Sequence, residues 1–571
     1  MLQSVRWVLS GLVACFPLVL ASRGPFLEQV SNATWIFGND LWNVTQEAVY
    51  ASKLYLRGSE LVGPATGHYM GYDGENNFAW TSAGITSRGK DYIDVGFSCK
   101  EGELHWVIFD DLAGAYQYFV NRALPDISIL RTLWRLDPDL FLNGRTYLRD
   151  QALPDFSLYQ NATKVQDETW QLANGTFITK YDFSDYVRER DFYGIYGPNV
   201  GSWYIHPGTD YYNSEHLSQT LTVHRESATG DSVQLNVVQD TSHLRVGEKV
   251  AQPAGKIWGP WLWYLNDGNV KNAETKSREE LAKWPYPWLK DPAYQSRGGV
   301  TGQLRLSDGR PASGAAMFLG DTDTTRRPSV QGRNYYYTTR ADAEGRFSLE
   351  DVRSGTYGLY AWSNEGALAD VYMNFSMSAI DIAAGTTTQL SPLTWIVPDE
   401  GKKIFRIGDF DKKALGFCNG GPPYQHGISE QSPANLTFTV GKSQVSNWHY
   451  AQSLVGTWTV AFELDPRAQS RGGSGDDDNG ARLSLSFAGY SQSAAMDVTM
   501  NGQLFGSLGK DSFASDPSLY RSGKTSGEWR FVQYTVPGSA IREGPNVLDF
   551  TVTRYTQWRG FMWDSIILEW V

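Results

Sequence analysis

The sequence has little cysteine, no long apolar run after its first residues and no excess of positive charge. Of its three cysteines, Cys15 lies in an N-terminal leader, so only Cys99 and Cys418 remain. Two cysteines cannot form the disulfide framework of a small secreted domain, and the sequence does not decide whether they pair. Stability must therefore come from large hydrophobic cores.

The chain also lacks several motifs that carry specific chemistry. It contains no H-E-x-x-H, no paired C-x-x-C and no P-loop, so zinc hydrolysis and nucleotide chemistry lose support. The formal net charge of -12 argues against nucleic acid as a partner, because proteins that bind this polyanion usually have a strongly basic surface. A local basic cluster could still bind an anionic polysaccharide, since charges beyond about 10 Å are screened.

The first residues are typical of a secretory signal. Arg6 precedes a mostly apolar run from Trp7 to Leu20, and small residues up to Ala21 form a cleavage pattern. No later stretch is long and apolar enough to span a bilayer. We therefore expect residues 1–21 to be removed and the mature glycoprotein, which has N-x-[S/T] sequons, to be secreted and extracellular, with no membrane partner.

The length of 571 residues predicts several domains, and the alternation of apolar and polar residues between turn residues predicts that they are all-β. Residues 22–292 alternate aromatic and polar side chains between Gly, Asn and Asp turns, which predicts a large antiparallel β-sandwich. Residues 293–396 predict a small fibronectin type III or immunoglobulin-like sandwich, and residues 397–571 a jelly-roll-like sandwich. Ser277–Trp284 has capping-box spacing and is the best helix candidate, with Pro285 ending it.

The acidic loop Gly475–Gly480 is a candidate calcium site in the last unit. Its spacing differs from the EF-hand pattern, which favours a solvated loop, although a structural calcium in the C-terminal domain stays an alternative.

The stretch Trp203–His224 contains three of the eight histidines, and from His216 onward its residues alternate as in a strand. One face of this predicted strand carries both His216 and His224. Two other predicted strands, Ile127–Asp137 and Thr176–Phe183, also place a cation on their more polar face. We expect a cleft where these three strands meet.

The cations on those strands are Arg131 and Lys180, and with His216 they form a set that suits β-elimination of a uronate chain. This reaction needs a base for the hydrogen at C5, positive charge on the carboxylate and a proton donor for the departing O4. Arginine binds a carboxylate bidentately, and burial beside an arginine lowers a lysine pKa. Tyr211 could orient the histidine or assist the proton transfer.

Short segments spread over the mature chain resemble polysaccharide lyase family 4, the rhamnogalacturonan (rhamnogalacturonate) lyases. The segments that carry the resemblance, in the order found in the family, are Ile129–Arg135, Thr179–Tyr181, Tyr211–His216, Ile257–Gly268, Trp284–Trp288 and Phe405–Asp411. The resemblance implies a catalytic β-sandwich, a fibronectin type III-like domain and a C-terminal jelly-roll domain similar to carbohydrate-binding modules.

The resemblance also implies the roles of individual residues. Lys180 and His216 match the catalytic lysine and histidine of the family, Arg131 the arginine that binds the substrate carboxylate, and Tyr211 a tyrosine of the cleft. The implied reaction cleaves the α-1,4 bond between rhamnose and galacturonate in pectin, leaves an unsaturated uronide and needs no catalytic metal or other cofactor. Which of Lys180 and His216 is the base stays open. Family members often have Gly where this chain has Glu215, whose charge would raise the His216 pKa if the groups are close.

Two other classes of function remain open at this point. For the lyase we expect a monomer whose partner is an acidic plant cell-wall polysaccharide. A secreted lyase-like protein that has lost activity could instead bind such a polysaccharide without cleaving it. A glycoside hydrolase could instead use two carboxylates, for which the candidates are Asp110 and Asp111, Asp137 and Asp139, and Glu189 and Asp191.

Overall fold

The computed structural model describes residues 24–571 except 75, 214, 241–247, 398–401, 422–426, 466–479, 492, 510–517 and 522–528. The predicted signal peptide and almost all of the acidic loop lie outside the described residues. The predicted all-β class is confirmed, because the described elements are mostly strands that pair into stacked sheets.

The first unit comprises β1 to β24 and three short helices. In chain order these elements are β1 (Phe26–Ser31), β2 (Thr34–Gly38), β3 (Trp42–Gln46), β4 (Ala51–Leu56), β5 (Ser59–Glu60), β6 (Gly67–Tyr72), β7 (Asn76–Asn77), β8 (Ser82–Arg88), β9 (Tyr92–Ser98), β10 (Gly102–Phe109), β11 (Gly114–Asn121), β12 (Ile129–Leu136), β13 (Asn143–Arg145), β14 (Asp150–Ala152), α1 (Phe156–Gln160), β15 (Thr163–Gln166), β16 (Thr169–Gln171), β17 (Phe177–Thr179), β18 (Ser184–Tyr186), β19 (Phe192–Gly197), β20 (Val200–Ile205), β21 (Gln219–Leu221), β22 (Val223–Arg225), β23 (Ser232–Asp240), β24 (Ile257–Asn266), α2 (Val270–Lys283) and α3 (Pro292–Gln295).

Two antiparallel sheets of this unit stack face to face. One has the order β1-β2-β3-β4-β6-β12-β23-β22, and the other β14-β13-β19-β20-β24-β11-β10-β9-β8. Alternate residues of each strand point into the space between them, where Trp106, Trp134 and Trp263 are fully buried and in ring contact. The aromatic content of the sequence therefore fills a core here.

The helix α2 begins earlier than the sequence predicts. Asn269 caps it by accepting a hydrogen bond from the backbone N–H of Asn272, so Ser277 lies inside the helix rather than at its start. The helix ends before Pro285 as predicted, and the buried Glu280 accepts hydrogen bonds from Tyr116 and Tyr286 at 2.8 and 2.7 Å. These bonds hold α2 against the outer face of the second sheet.

The middle unit is a smaller sandwich made of two four-stranded sheets. Its strands are β25 (Arg297–Leu306), β26 (Ala316–Gly320), β27 (Tyr337–Arg340), β28 (Arg346–Arg353), β29 (Gly355–Trp362), β30 (Phe375–Ile382), β31 (Thr387–Gln389) and β32 (Leu393–Trp395). A buried ion cluster joins it to the first unit, because Asp210 contacts Arg353 at 2.8 Å and Arg297 at 3.2 Å.

The last unit is a sandwich of two five-stranded sheets, as expected of a jelly-roll-like domain. Its elements are β33 (Lys403–Gly408), β34 (Leu436–Thr439), β35 (Ala451–Gln452), β36 (Gly456–Leu464), β37 (Ala481–Tyr490), β38 (Ala495–Met500), β39 (Gln503–Leu508), α4 (Ser518–Arg521), β40 (Arg530–Val536), β41 (Gly544–Arg554) and β42 (Phe561–Trp570). Its core contains Trp448, Trp458 and Trp563, all of them fully buried.

Cys99 is buried in the first core and Cys418 lies in the last unit, and both are free thiols. Burial raises the pKa of Cys99 to about 11, which keeps this thiol protonated.

Candidate active site

The outer face of the first sheet carries a group of cations on β12. Leu130 and Trp134 point into the sandwich core, so Arg131 and Arg135 point away from it, which confirms the alternation predicted from the sequence. Between them Leu133 packs against Tyr69 and neighbouring apolar residues of the same face. The two arginines therefore stand on a rigid, partly apolar surface.

Arg135 is held in place by three partners. Its guanidinium lies 3.1 Å from Glu226 and 3.4 Å from Asp231, and its Nε donates to the Tyr69 hydroxyl at 3.2 Å. Two carboxylates thus balance its charge, which suits a positioning role better than direct capture of an anion.

Arg131 keeps donors available. Its Nη2 donates to the backbone carbonyl of Gly74, while its buried Nε has no hydrogen-bond partner among the described residues. A buried N–H group without a partner is unfavourable, so hydrogen bonds from this guanidinium to the carboxylate of a bound substrate would be stabilising.

Lys180 does not lie on a strand, contrary to the prediction for Thr176–Phe183. The strand β17 ends at Thr179, and a 3-10 helix follows over Lys180–Phe183. The Thr179 hydroxyl accepts a hydrogen bond from the backbone N–H of Tyr181 at 3.3 Å, which caps this turn. The Lys180 ammonium lies 5.5 Å from the centre of the Tyr181 ring.

Electrostatics connect Lys180 with the β12 arginines. Burial lowers the pKa of Lys180, and the carboxylates Glu168, Asp167 and Glu226 oppose that shift in part. Glu226 also lies 3.9 Å from Nε2 of His224. We call Arg131, Arg135, Lys180, His224 and Glu226 the Lys180 cluster.

His224 is the histidine of this cluster, although the sequence suggests no role for it. Burial lowers its pKa, and the Lys180 charge contributes to the same shift. The contact with His224 in turn lowers the pKa of Glu226 to about 2. A neutral imidazole next to an ionised carboxylate agrees with both lowered pKa values.

His216 lies in a turn before β21 rather than on a strand that continues to His224. The backbone changes its partner strand at Thr222: β21, before it, pairs with β18, whereas β22, after it, pairs with β23. His216 Nε2 donates to the Thr339 carbonyl of the middle unit at 3.1 Å, and its ring centre lies 6.3 Å from that of Trp362. Within the described part of the chain, no residue forms a hydrogen bond with both Lys180 and His216.

Glu215, which would raise the His216 pKa if the two groups were close, is engaged within its own turn. The Glu215 carboxylate accepts hydrogen bonds from the Leu217 N–H at 3.2 Å and from the Ser218 hydroxyl at 3.0 Å. Burial dominates at His216 and lowers its pKa to about 4. The imidazole is therefore neutral near pH 7, with its proton on Nε2 and a lone pair on Nδ1.

Tyr211 lies beneath the surface in this structure. Its side chain is 0% exposed, and its hydroxyl is hydrogen-bonded to His206 Nδ1 at 3.0 Å. Its ring is also in contact with those of Tyr212 and Trp261. Here Tyr211 packs in the core of the first unit, and its predicted role in the cleft stays a prediction.

Comparison with known proteins places these features in a family. Residues 307–390 match the profile described as "Polysaccharide lyase family 4, domain II", and residues 403–568 match "Polysaccharide lyase family 4, domain III". The chain is 31% identical to rhamnogalacturonate lyase of Dickeya dadantii, over 80% of this chain and 77% of that protein. It is 24% identical to probable rhamnogalacturonate lyase B of Aspergillus terreus, over 68% of this chain and 66% of that protein. The chain belongs to polysaccharide lyase family 4.

This family 4 lyase contains site residues that sequence reasoning missed. Arg135 was open to prediction, since it stands four positions after Arg131 on the same face of a strand. Tyr69 and Glu226 give no such signal, because they reach the site only when β6 and β23 pair with β12 and the β22–β23 turn brings Glu226 over Arg135.

In the described ranges of this family 4 lyase, no group of three or more His, Cys, Asp and Glu side chains is arranged to hold a metal ion. Likewise, no helix in those ranges has the length and apolar character needed to cross a bilayer. The prediction that catalysis needs no metal stays a prediction.

Proposed function

We propose that this polysaccharide lyase is secreted and cleaves the α-1,4 bond between rhamnose and galacturonate in rhamnogalacturonan I by β-elimination. The observation that carries the proposal is the Lys180 cluster, in which Arg131 and Lys180 both interact electrostatically with Glu226 and burial lowers the pKa of Lys180. The names of the similar bacterial and fungal proteins support the choice of polymer.

Arg131 is assigned to the galacturonate carboxylate. Loss of the C5 proton places negative charge on this carboxylate as an enolate-like group, and a guanidinium binds that charge more strongly than it binds the ground state. Arg135 is assigned a positioning role, because its own donors stay with Glu226, Asp231 and Tyr69.

The proton-transfer roles follow from the two pKa shifts. A neutral His216 can accept the C5 proton on Nδ1, and a lowered pKa makes the Lys180 ammonium a better donor to O4. The C5–H electron pair then forms the C4=C5 double bond while the C4–O4 bond breaks and O4 takes the lysine proton. This mechanism requires the galacturonate to lie between the Lys180 cluster and the His216 turn.

Product analysis tests the proposed function against its two alternatives. Purified protein is incubated with rhamnogalacturonan, and both the ultraviolet absorbance of the unsaturated uronide and the reducing sugar are followed. We expect both signals to rise together. Reducing sugar without the absorbance would instead identify a two-carboxylate hydrolase, and binding without release would identify a lyase-like binding protein.

The pH profiles of the wild type and of Lys180→Ala together should identify the base. We expect kcat/KM to rise as the pH increases through about 4, where His216 loses its proton, and to fall as the pH approaches the lowered pKa of Lys180. Exchanging the two roles would give the same bell-shaped profile in the wild type, because the populations of the two active forms depend on the same two pKa values. The residual activity of Lys180→Ala, measured by initial rates of absorbance, decides between the assignments: it should persist above about pH 4 if His216 is the base, and be confined below that pH if His216 is the acid.

Replacing Arg131 should weaken both binding and turnover. We expect Arg131→Ala to lower kcat/KM by at least about tenfold, because the variant loses the bidentate contact with the carboxylate and with the enolate. Arg131→Lys, which keeps only the charge, should recover part of the loss. The control Arg122→Ala removes an exposed arginine paired with Glu103 in the same unit and should leave the kinetics unchanged. Wild-type kinetics for Arg131→Ala would contradict the assignment.

A further inference from the structure

A cavity of about 360 Å³ lies where the three sandwich units meet; its lining includes no residue of the Lys180 cluster, but it includes Glu215 and Leu217 on either side of His216. The first unit contributes residues from Glu215 to Gln219, the middle unit Thr324–Ser329 and the end of β29, and the last unit Lys412 and the start of β40. Its volume is at the lower end of that of small-molecule sites, about 300–1,000 Å³, which suits a short saccharide segment.

Aromatic rings form two walls of this cavity, with a cation between them. The Lys412 ammonium lies 4.5 Å from the centre of the Trp362 ring and 4.7 Å from that of Trp529. The Trp529 indole N–H donates to the Ser486 hydroxyl at 2.7 Å, which fixes the orientation of that ring. Flat indole surfaces of fixed orientation are the kind on which sugar rings stack.

The charge of the lining is positive, although the whole chain carries a formal net charge of -12. Among the described residues of the lining, four basic side chains, Arg326, Arg327, Lys412 and Arg530, face one carboxylate, Glu215. Arg327 is compensated by Glu248 at 3.3 Å outside the cavity. Burial lowers the pKa of Lys412 to about 8, so this side chain remains mainly protonated below that pH.

We propose that this cavity binds an acidic oligosaccharide, with uronate carboxylates on Lys412 and Arg530 and a sugar ring against Trp362 or Trp529. The proposal rests on the proposed function for the class of polymer. A second saccharide site at the junction of three units would hold the polymer while the Lys180 cluster acts on another part of it. It would also explain why a surface that lacks an overall positive charge concentrates basic groups here.

The test measures binding in a protein whose Lys180 cluster is disabled. Arg131→Ala/Lys180→Ala protein is titrated with trigalacturonate, which lacks the rhamnose–galacturonate bond, and binding is followed by calorimetry and tryptophan fluorescence. Because Asn374 lines the cavity and begins the sequon N-F-S, the protein is produced in a host that does not N-glycosylate. We expect saturable binding with quenching of tryptophan fluorescence.

Two variants in that background locate the binding. Lys412→Met and Arg530→Gln should each weaken trigalacturonate binding by at least about tenfold. Arg530 is exposed, so its replacement by Gln should not disturb the packing of the core. Lys442→Met, at an exposed lysine of the same unit, should bind like its parent. Melting curves identify any variant that fails to fold.

Several results would overturn the proposal. These are the absence of saturable binding, binding that neither Lys412→Met nor Arg530→Gln weakens, and equal binding of neutral galactotriose. Cleavage of rhamnogalacturonan by the wild-type protein is measured separately. Cleavage without this binding would contradict only the proposal of a second saccharide site. Binding without cleavage would contradict only the proposed reaction.

Discussion

Lys180→Ala and His216→Ala are each expected to lower kcat/KM on rhamnogalacturonan by about a hundredfold or more, while the protein stays folded. Each variant removes one of the two groups assigned to move a proton, and positioned acid–base groups typically contribute about 10²–10⁴-fold. Lys180 is partly buried on a short 3-10 helix whose apolar packing comes from Tyr181 and Phe183, so we expect its truncation to leave the fold intact. Initial rates of uronide absorbance and melting curves measure the two effects separately.

Matched variants make this result specific. Lys164→Ala removes an exposed lysine from the small sheet that also contains β17, and it should retain normal rates. His224→Ala removes the other neutral histidine, the one next to Glu226, and should reduce the rate by less than about tenfold through altered positioning of the cluster. Near-normal activity of His216→Ala together with a hundredfold loss in His224→Ala would transfer the role of base to His224.

The arrangement of cations on β12 could be predicted because it depends only on alternation along a strand. Leu130 and Trp134 are apolar and Arg131 and Arg135 are charged, so a period of two separates a core face from a polar face before any partner strand is known. The same reasoning predicts the sandwich units, since turn residues divide the sequence into short alternating segments.

The surroundings of Lys180 could not be predicted in this way. Thr176–Phe183 alternates like a strand, yet the hydroxyl of Thr179 competes for a backbone N–H and turns the chain at Lys180. The neighbours of Lys180 come from elements far apart in the sequence, and Glu226 reaches Arg135 only because β22 and β23 pair beside β12. The cavity that Lys412 lines forms only when the three units pack together. The alternation of residues along a single strand cannot predict how separate units pack.

Removing the carboxylate of Asp210 should destabilise the contact between the first and middle units by about 3–5 kcal/mol. Asp210 is buried and contacts two arginines, Arg353 at 2.8 Å and Arg297 at 3.2 Å, and it also lies within 3.4 Å of the Tyr337 hydroxyl. Burial alone would raise its pKa, but the arginines hold the pKa below its usual value. Asp210→Asn keeps the shape of the side chain and leaves two buried guanidinium groups without a counter-charge.

The sign of the pH dependence follows from that lowered pKa. The ionised carboxylate stabilises the folded protein fully above the ordinary pKa of an aspartate, and this contribution is lost as the pH falls through the lower folded-state value. Denaturant unfolding of the wild type, followed by tryptophan fluorescence, should therefore show a loss of stability at acidic pH that is smaller in Asp210→Asn. Glu274→Gln, at a half-exposed carboxylate paired with Arg278, should change neither the midpoint nor its pH dependence.

A double-mutant cycle separates the buried ion cluster from a general packing effect. Asp210→Asn combined with Arg353→Met should cost less than the sum of the two single variants, because the second change removes a guanidinium that the first leaves uncompensated. Additive effects would show that Asp210 and Arg353 act independently. In that case the two units would be held together mainly by apolar contacts, and the position of His216 against Thr339 would not depend on this ion cluster.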